Sequence, residues 1–145
     1  MVSRLKILAQ LDIDITSRNR QVLVQRLHLA LLEFYDKGRR VVVMVDEAHS
    51  IGVLGSTGRG IEEHFGLPDD TVDIKMGTLS KTIPSVGGYI AGKKDLIDYL
   101  RHAARAFIYS AALPPPQAAA ARAAFEVIQE EPERAEILRR NSAHF

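Results

Sequence analysis

Six side chains in two short stretches have types and spacing suited to chemistry. The first stretch, VVVMVDEAHSIG (residues 41–52), is an apolar run that ends in Asp46, Glu47 and His49. The second, MGTLSKTIPSVGGYIAG (residues 76–92), sets Thr78 and Ser80 beside Lys81 and follows them with a glycine pair. A carboxylate carried on an apolar strand serves two unrelated ends. In a nucleic-acid helicase, Asp-Glu-Ala-His faces the magnesium of bound ATP. In a pyridoxal-phosphate (PLP) enzyme, a single Asp faces the pyridine nitrogen of the cofactor.

The helicase needs a phosphate cradle, GxxxxGK[ST], upstream of the acidic strand. Residues 1–45 contain one glycine, Gly38, so no such cradle is present there. PLP instead asks for a lysine amine, an anion for the ring nitrogen, hydroxyls for the phosphate, and small residues where the flat ring packs. Lys81, Asp46, Thr78 with Ser80, and the glycines of VGGYIAG supply these in turn. Asp46 and Lys81 are 35 residues apart, which suits the ends of two neighbouring strands joined by a long loop. Ligands of open α/β sheets gather at those carboxyl ends.

The elements that must carry these residues are legible in the apolar spacing. Leu23, Leu27, Ala30, Leu31 and Phe34 recur at helical intervals, and Gly38 suits a helix C-terminus. The run RRVVVMVDE predicts a buried strand with apolar cover on both faces. HSIGVLGSTGRG holds four glycines in twelve residues and predicts a loop. IEEHFG predicts one helical turn, VDIKMGTL a second strand and VGGYIAG a third. A helix follows over 93–105, with Leu96, Ile97, Leu100, Ala103 and Ala104 on one face. AFIYSA reads as short and extended. The prolines of PPPQAAAARAAFEVIQ suit a helix N-terminus, and EPERAEILRRNSAHF reads as a last helix. Residues 1–19 show no clean pattern beyond an alternation in DIDI and a turn in TSRNR. The order defines an α/β protein.

Composition narrows the rest. With 19 Lys and Arg against 18 Asp and Glu, the net charge of +1 gives no basis for a nucleic-acid partner. The absence of Cys excludes disulfides, thiolate metal sites and a thiol nucleophile. No apolar run has the roughly 20 residues of a membrane span, and the N-terminus lacks a signal-peptide layout, so a cytoplasmic protein is expected.

Together, VDEAHSIGVLGSTGRGIEEHFG, GTLSKTIPSVGGYIAG and FIYSAALPP resemble the α-oxoamine synthase family of fold-type I PLP-dependent enzymes. The resemblance runs from about Leu27 to Phe145. It implies the large domain of the aspartate aminotransferase-like transferase fold, truncated at both ends. Residues 27–145 would be its central portion, residues 1–26 stay unassigned, and the C-terminal small domain would be lacking. It implies that Asp46 pairs with the ring nitrogen, that His49 sits by the phenolic oxygen, and that Thr78 and Ser80 serve the phosphate. Lys81 would be the Schiff-base lysine. Ser110 and Ala111 would contact phosphate across a homodimer interface. The implied reaction condenses an amino acid with an acyl-CoA to an α-amino ketone, releasing CoA and CO2.

The chain departs from that family in places. The acidic turn expected before the first helix is replaced by DIDITSRNRQ, and Pro84 stands where many members have Gly. Two other readings stay open: aminotransfer of class I/II type on the same fold, and an inactive remnant that dimerises without turnover. The plainer roles go to the remaining polar residues. His28, His64, His102 and His144 read as surface or packing residues, Glu47 as structural, and Tyr89 as core. GSTGRG reads as a plain loop before a backbone anion nest. By the resemblance, its Arg59 is a candidate substrate contact.

Overall fold

A computed structural model describes residues 19–69 and 71–144. They fall into two compact units that meet in sequence between Val41 and Val42. The DIDI alternation, and the TSRNR turn before Asn19, lie outside the described residues. In the first unit, helix α1 spans Arg20–Asp36. Asn19 caps it, its side-chain oxygen accepting the Gln21 N–H at 2.9 Å. Such a cap satisfies a donor that the helix geometry leaves without a partner. Gly38, at φ 67°, ends it. The Gly38 and Arg39 N–H groups return to the Tyr35 and Phe34 carbonyls at 2.9 and 2.8 Å. The expected apolar face is present: Leu27, Ala30, Leu31 and Phe34 are less exposed than their neighbours Leu29 and Leu32.

The second unit holds three strands, β1 (Met44–Asp46), β2 (Ile74–Thr78) and β3 (Gly88–Gly92), in the order β1-β2-β3. Strands β1 and β2 are parallel, with Asp46 opposite Met76. Strands β2 and β3 are antiparallel, with Gly77 opposite Tyr89 and Thr78 opposite Gly88. Helix α2 (Ile61–Phe65) follows the glycine loop and ends on Gly66 in the left-handed conformation. Helices α3 (Lys94–Ala103) and α4 (Arg105–Ile108) come next, then α5 (Pro115–Glu130) and α6 (Glu133–Ser142).

Two expectations fail. The strand expected over 39–47 forms only at 44–46, and Val42, Val43 and Met44 are 64, 42 and 54% exposed. The ladder starts where Val43 O accepts the N–H groups of Asp73 and Ile74, both at 3.1 Å. Its partner β2 covers one edge of β1, and among the described residues no strand lies on the other. The segment AFIYSA, expected to be extended, begins instead as α4. Ala104, at φ −78° and ψ 102°, breaks α3, and its carbonyl then accepts the N–H groups of Phe107 and Ile108 at 3.0 Å. A one-turn helix thus satisfies backbone groups that the residue types alone assign to a strand.

The core lies between β2–β3 and α5. Leu79, Ile83 and Ala121 are buried, and Tyr89, Ala124, Phe125 and Ile128 pack on them. Tyr89 meets Phe125 edge to face, with centroids 5.7 Å apart and planes at 77°. Its ring lies so close over Gly77 that any Cβ there would overlap it. Tyr89 is therefore core, as expected. Burial, and after it the Glu47 carboxylate, raises its phenol above the ordinary range and keeps it neutral.

Candidate active site

The lysine loop is pinned from both sides. Leu79 and Ile83 are 6% and 0% exposed, while Ser80, Lys81 and Thr82 between them face solvent. Leu79 N–H donates to Gly87 O at 2.9 Å and Ser85 N–H to Leu79 O at 2.7 Å, closing the loop on itself. Ser85 Oγ donates to Gln117 O on α5 at 2.8 Å. An exposed amine is thus held by a buried frame.

Lys81 Nζ lies 2.9 Å from His49 Nε2. His49 sits on the turn that follows β1, where the Ser50 and Ile51 N–H groups bond to Glu47 O. Asp46, the last residue of β1, accepts the Ala48 N–H on Oδ1 at 2.8 Å. Its Oδ2 has no hydrogen-bond partner among the described residues. At the end of β2, Thr78 Oγ1 and Ser80 Oγ are 2.8 Å apart, and Thr78 Oγ1 donates to Gly87 O at 3.2 Å. The carboxyl ends of two adjacent parallel strands therefore carry a carboxylate, an imidazole, two hydroxyls and an amine. Ser110 and Ala111 lie on the exposed segment after α4. There Ser110 Oγ donates to Phe107 O at 3.1 Å.

Glu47 is 3% exposed, and its carboxylate takes the Ser50 hydroxyl and the Ile61 N–H, the latter at 3.1 Å. Glu62, also buried, accepts the Val72 N–H at 2.9 Å and pairs with Lys75. Sequence reasoning left out Glu63. Its oxygens accept Ser56 Oγ at 2.6 Å, Thr57 Oγ1 at 2.9 Å, Thr57 N–H at 3.1 Å and Arg59 N–H at 2.9 Å. The loop GSTGRG does make a backbone anion cradle, and the anion is this side chain. The one available signal was an acid four residues beyond Arg59, at the start of a helix whose N-terminus favours negative charge. Burial pushes the Glu63 carboxyl up, but the hydrogen bonds from Ser56, Arg59 and Thr57 outweigh it and bring it down to about 2. Beside this loop a cavity of about 430 Å³ is lined by Ile51, Phe125, Ile128 and Pro132, with Arg59 and Gln129 at its polar side.

A strand-borne carboxylate beside an amine-bearing loop on an α/β sheet marks a class of protein, and the chain belongs to the family Aminotransferase class I and II, which matches residues 26–145. It is 53% identical over 115 residues to 8-amino-7-oxononanoate synthase 1 of Bacillus subtilis, covering 79% of this chain and 28% of that protein. It is 51% identical over 96 residues to serine palmitoyltransferase of Bacteroides ovatus, covering 66% of this chain and 24% of that one. Among solved structures, serine palmitoyltransferase with PLP matches at a TM-score of 0.65 and 34% identity, over 79% of this chain and 28% of that chain. The 8-amino-7-oxononanoate synthase of Francisella tularensis matches at 0.56 and 33%, over 73% and 32%. The chain thus spans about a quarter to a third of the length of these relatives. The α/β fold expected from the sequence is the fold of that part of them. No helix among the described residues is long and apolar enough to cross a membrane.

Proposed function

We propose that this chain forms the cofactor-binding part of a PLP-dependent acyltransferase. The enzyme would condense an amino acid with an acyl-CoA to an α-amino ketone and release CoA and CO2. The observation that carries the proposal is the 2.9 Å approach of Lys81 Nζ to His49 Nε2, with Asp46 and the Thr78–Ser80 pair at the same strand ends. The residues fit the cofactor: an exposed amine for its aldehyde, two adjacent hydroxyls for its phosphate, and a carboxylate oxygen left open for its ring nitrogen.

When bound, PLP supplies an aldehyde that captures amines and a ring that takes up the electron pair released at the Cα of an amino acid. Asp46 serves by keeping a proton on the ring nitrogen, since an anion at this place stabilises the charged form. The Ala48 N–H holds the carboxylate in position through Oδ1 and leaves Oδ2 to make that contact. His49 Nε2 stands within proton-transfer distance of Lys81 Nζ and can take the ammonium proton before the amine attacks. The Lys81 amine would hold the cofactor's aldehyde and, when not so engaged, would be placed to carry the Cα proton. The Thr78 and Ser80 hydroxyls, now paired with each other, would hold the phosphate by donating to its oxygens.

Ser110 and Ala111, both exposed, are assigned to phosphate contacts with a second copy in a homodimer. Arg59, which lines the 430 Å³ cavity, is assigned to a substrate carboxylate or phosphate. Support for acyl transfer over aminotransfer comes from the relatives, whose names are those of 8-amino-7-oxononanoate synthase and serine palmitoyltransferase.

The test is a hybrid. The matching segment of the Bacillus subtilis synthase is replaced by that of this chain, and CoA release is followed with amino acids and acyl-CoA thioesters. Turnover that disappears with Lys81→Ala supports the proposal. A folded hybrid that loads PLP and releases no CoA contradicts it.

A further inference from the structure

We propose that Glu63 is a positioning residue for Lys81, acting through the glycine loop 52–60 and Thr82. This rests on the lysine-site reading above and adds to it a residue outside the strand-end cluster of Asp46, His49, Thr78, Ser80 and Lys81.

The Glu63 carboxylate gathers donors from Ser56, Thr57 and Arg59, three residues on one side of the loop. A Cβ at Gly55 would overlap that carboxylate, so the loop wraps directly against it. On the other side, the Arg139 guanidinium of α6 donates to Gly55 O and, at 3.3 Å, to Ser56 O. The N–H groups of the loop thus face an anion and its carbonyls a cation. Charge-assisted bonds of this kind are the stronger class and restrict the backbone most.

The restraint passes on by contact. Between Thr57 and Arg59 lies Gly58, whose carbonyl accepts the Gly52 N–H at 2.7 Å. The two glycines are so close that a Cβ on Gly58 would lie 3.1 Å from Gly52 Cα. Gly52, at φ 74°, presses in turn on the next loop: a Cβ there would overlap Thr82 Cγ2 and come within 3.4 Å of Ile128. Thr82 adjoins Lys81. Lys81 and His49 are exposed and have no packing of their own to fix them, so the backbone behind them must do so. His49 is set by the Glu47 turn, and Glu47 also holds the Ile61 N–H at the far end of the loop. One carboxylate therefore closes the ends of the loop and the other its middle.

The experiment uses the 145-residue chain with Glu63→Ala and Glu63→Gln, and two readouts. The first needs no cofactor: trypsin cleavage at the Arg59–Gly60 bond, which requires the loop to open. Loss of the charged acceptor is expected to raise that rate by about tenfold or more, since local opening follows the free energy of the bonds that close it. The second is the share of label found on Lys81, against the other lysines, after PLP and borohydride. In Glu63→Ala that share is expected to fall to the level of the other exposed lysines. Glu63→Gln, which keeps one acceptor oxygen but loses the charge, is expected to shift both readouts in the same direction by a smaller amount, and it carries the test if Glu63→Ala does not fold. Unchanged cleavage overturns the hold on the loop. Faster cleavage with an undiminished Lys81 share overturns the positioning role. Absence of selective Lys81 label in the unaltered chain overturns the lysine-site reading itself, an outcome distinct from the other two.

Discussion

Lys81 Nζ and His49 Nε2 stand 2.9 Å apart across 32 residues of sequence, joined by no continuous element. Each is held by a different device: Lys81 by the buried anchors Leu79 and Ile83, His49 by the turn around Glu47. The pairing therefore depends on the register of β1 against β2, and changes to either frame should disturb the contact without touching the two side chains.

The frame under Lys81 is tested by Ile83→Ala. Ile83 is the one fully buried large side chain among the described residues, and its truncation leaves a cavity between the lysine loop and α5. A loss of about 3 kcal/mol in urea unfolding is expected. A loss near zero would mean that the loop is not anchored in the core.

The contact between the two loops is tested by Gly52→Ala. A left-handed backbone and an overlap with Thr82 Cγ2 both oppose the new methyl group. The substitution should cost about 2 kcal/mol or more. Thr82→Ser removes the obstructing methyl group, so it should recover the steric part of that loss and leave the conformational part. Strict additivity of the two changes in a double-mutant cycle would show that the loops are not in contact.

The acid response of the glycine loop follows from Glu63. Its carboxyl, near 4.5 when free, stands at about 2 in the folded chain. A depressed value means that the folded state binds this proton less readily than the unfolded one. The stabilisation is therefore full above pH 4.5 and is lost as the pH falls towards 2. Protection of the Thr57 and Arg59 amides against hydrogen exchange should fall through that window, and Glu63→Gln should show no such step. A step of equal size in the variant would assign the titration to another group.

The ring-nitrogen role is tested by Asp46→Asn, which keeps the shape and the Ala48 hydrogen bond but removes the charge. In the hybrid enzyme, cofactor loading should persist while CoA release slows by about 100-fold or more, the scale of losing one preorganised charged contact. Near-normal turnover would remove Asp46 from the chemistry.

Much of this was legible in the sequence because it rests on short-range rules. Gly38 and Gly66 end their helices in the left-handed conformation that only glycine adopts freely, and the prolines at 114–116 start α5. Thr78, Ser80 and Lys81 were legible as one group because they stand together in the sequence, and Tyr89 was read as core. What was not legible depends on what lies opposite. The residues Val42 to Met44 have strand-forming side chains, but only a partner strand makes them buried, and β2 serves one edge alone. AFIYSA has extended propensity, yet the break at Ala104 makes a helical turn the nearer way to satisfy its backbone. Glu63 shows no role in one dimension, since its donors lie four to seven residues upstream and converge only when the loop closes.

The most direct measurement is reductive trapping. The chain is incubated with PLP, reduced with borohydride and digested, and the modified lysine is identified by mass spectrometry. Label concentrated on Lys81, abolished by Lys81→Ala and weakened by His49→Ala, is the expected result. Label on Lys75, Lys93 or Lys94 in preference to Lys81, or spread evenly over the lysines, would contradict the existence of a lysine site at the end of β2.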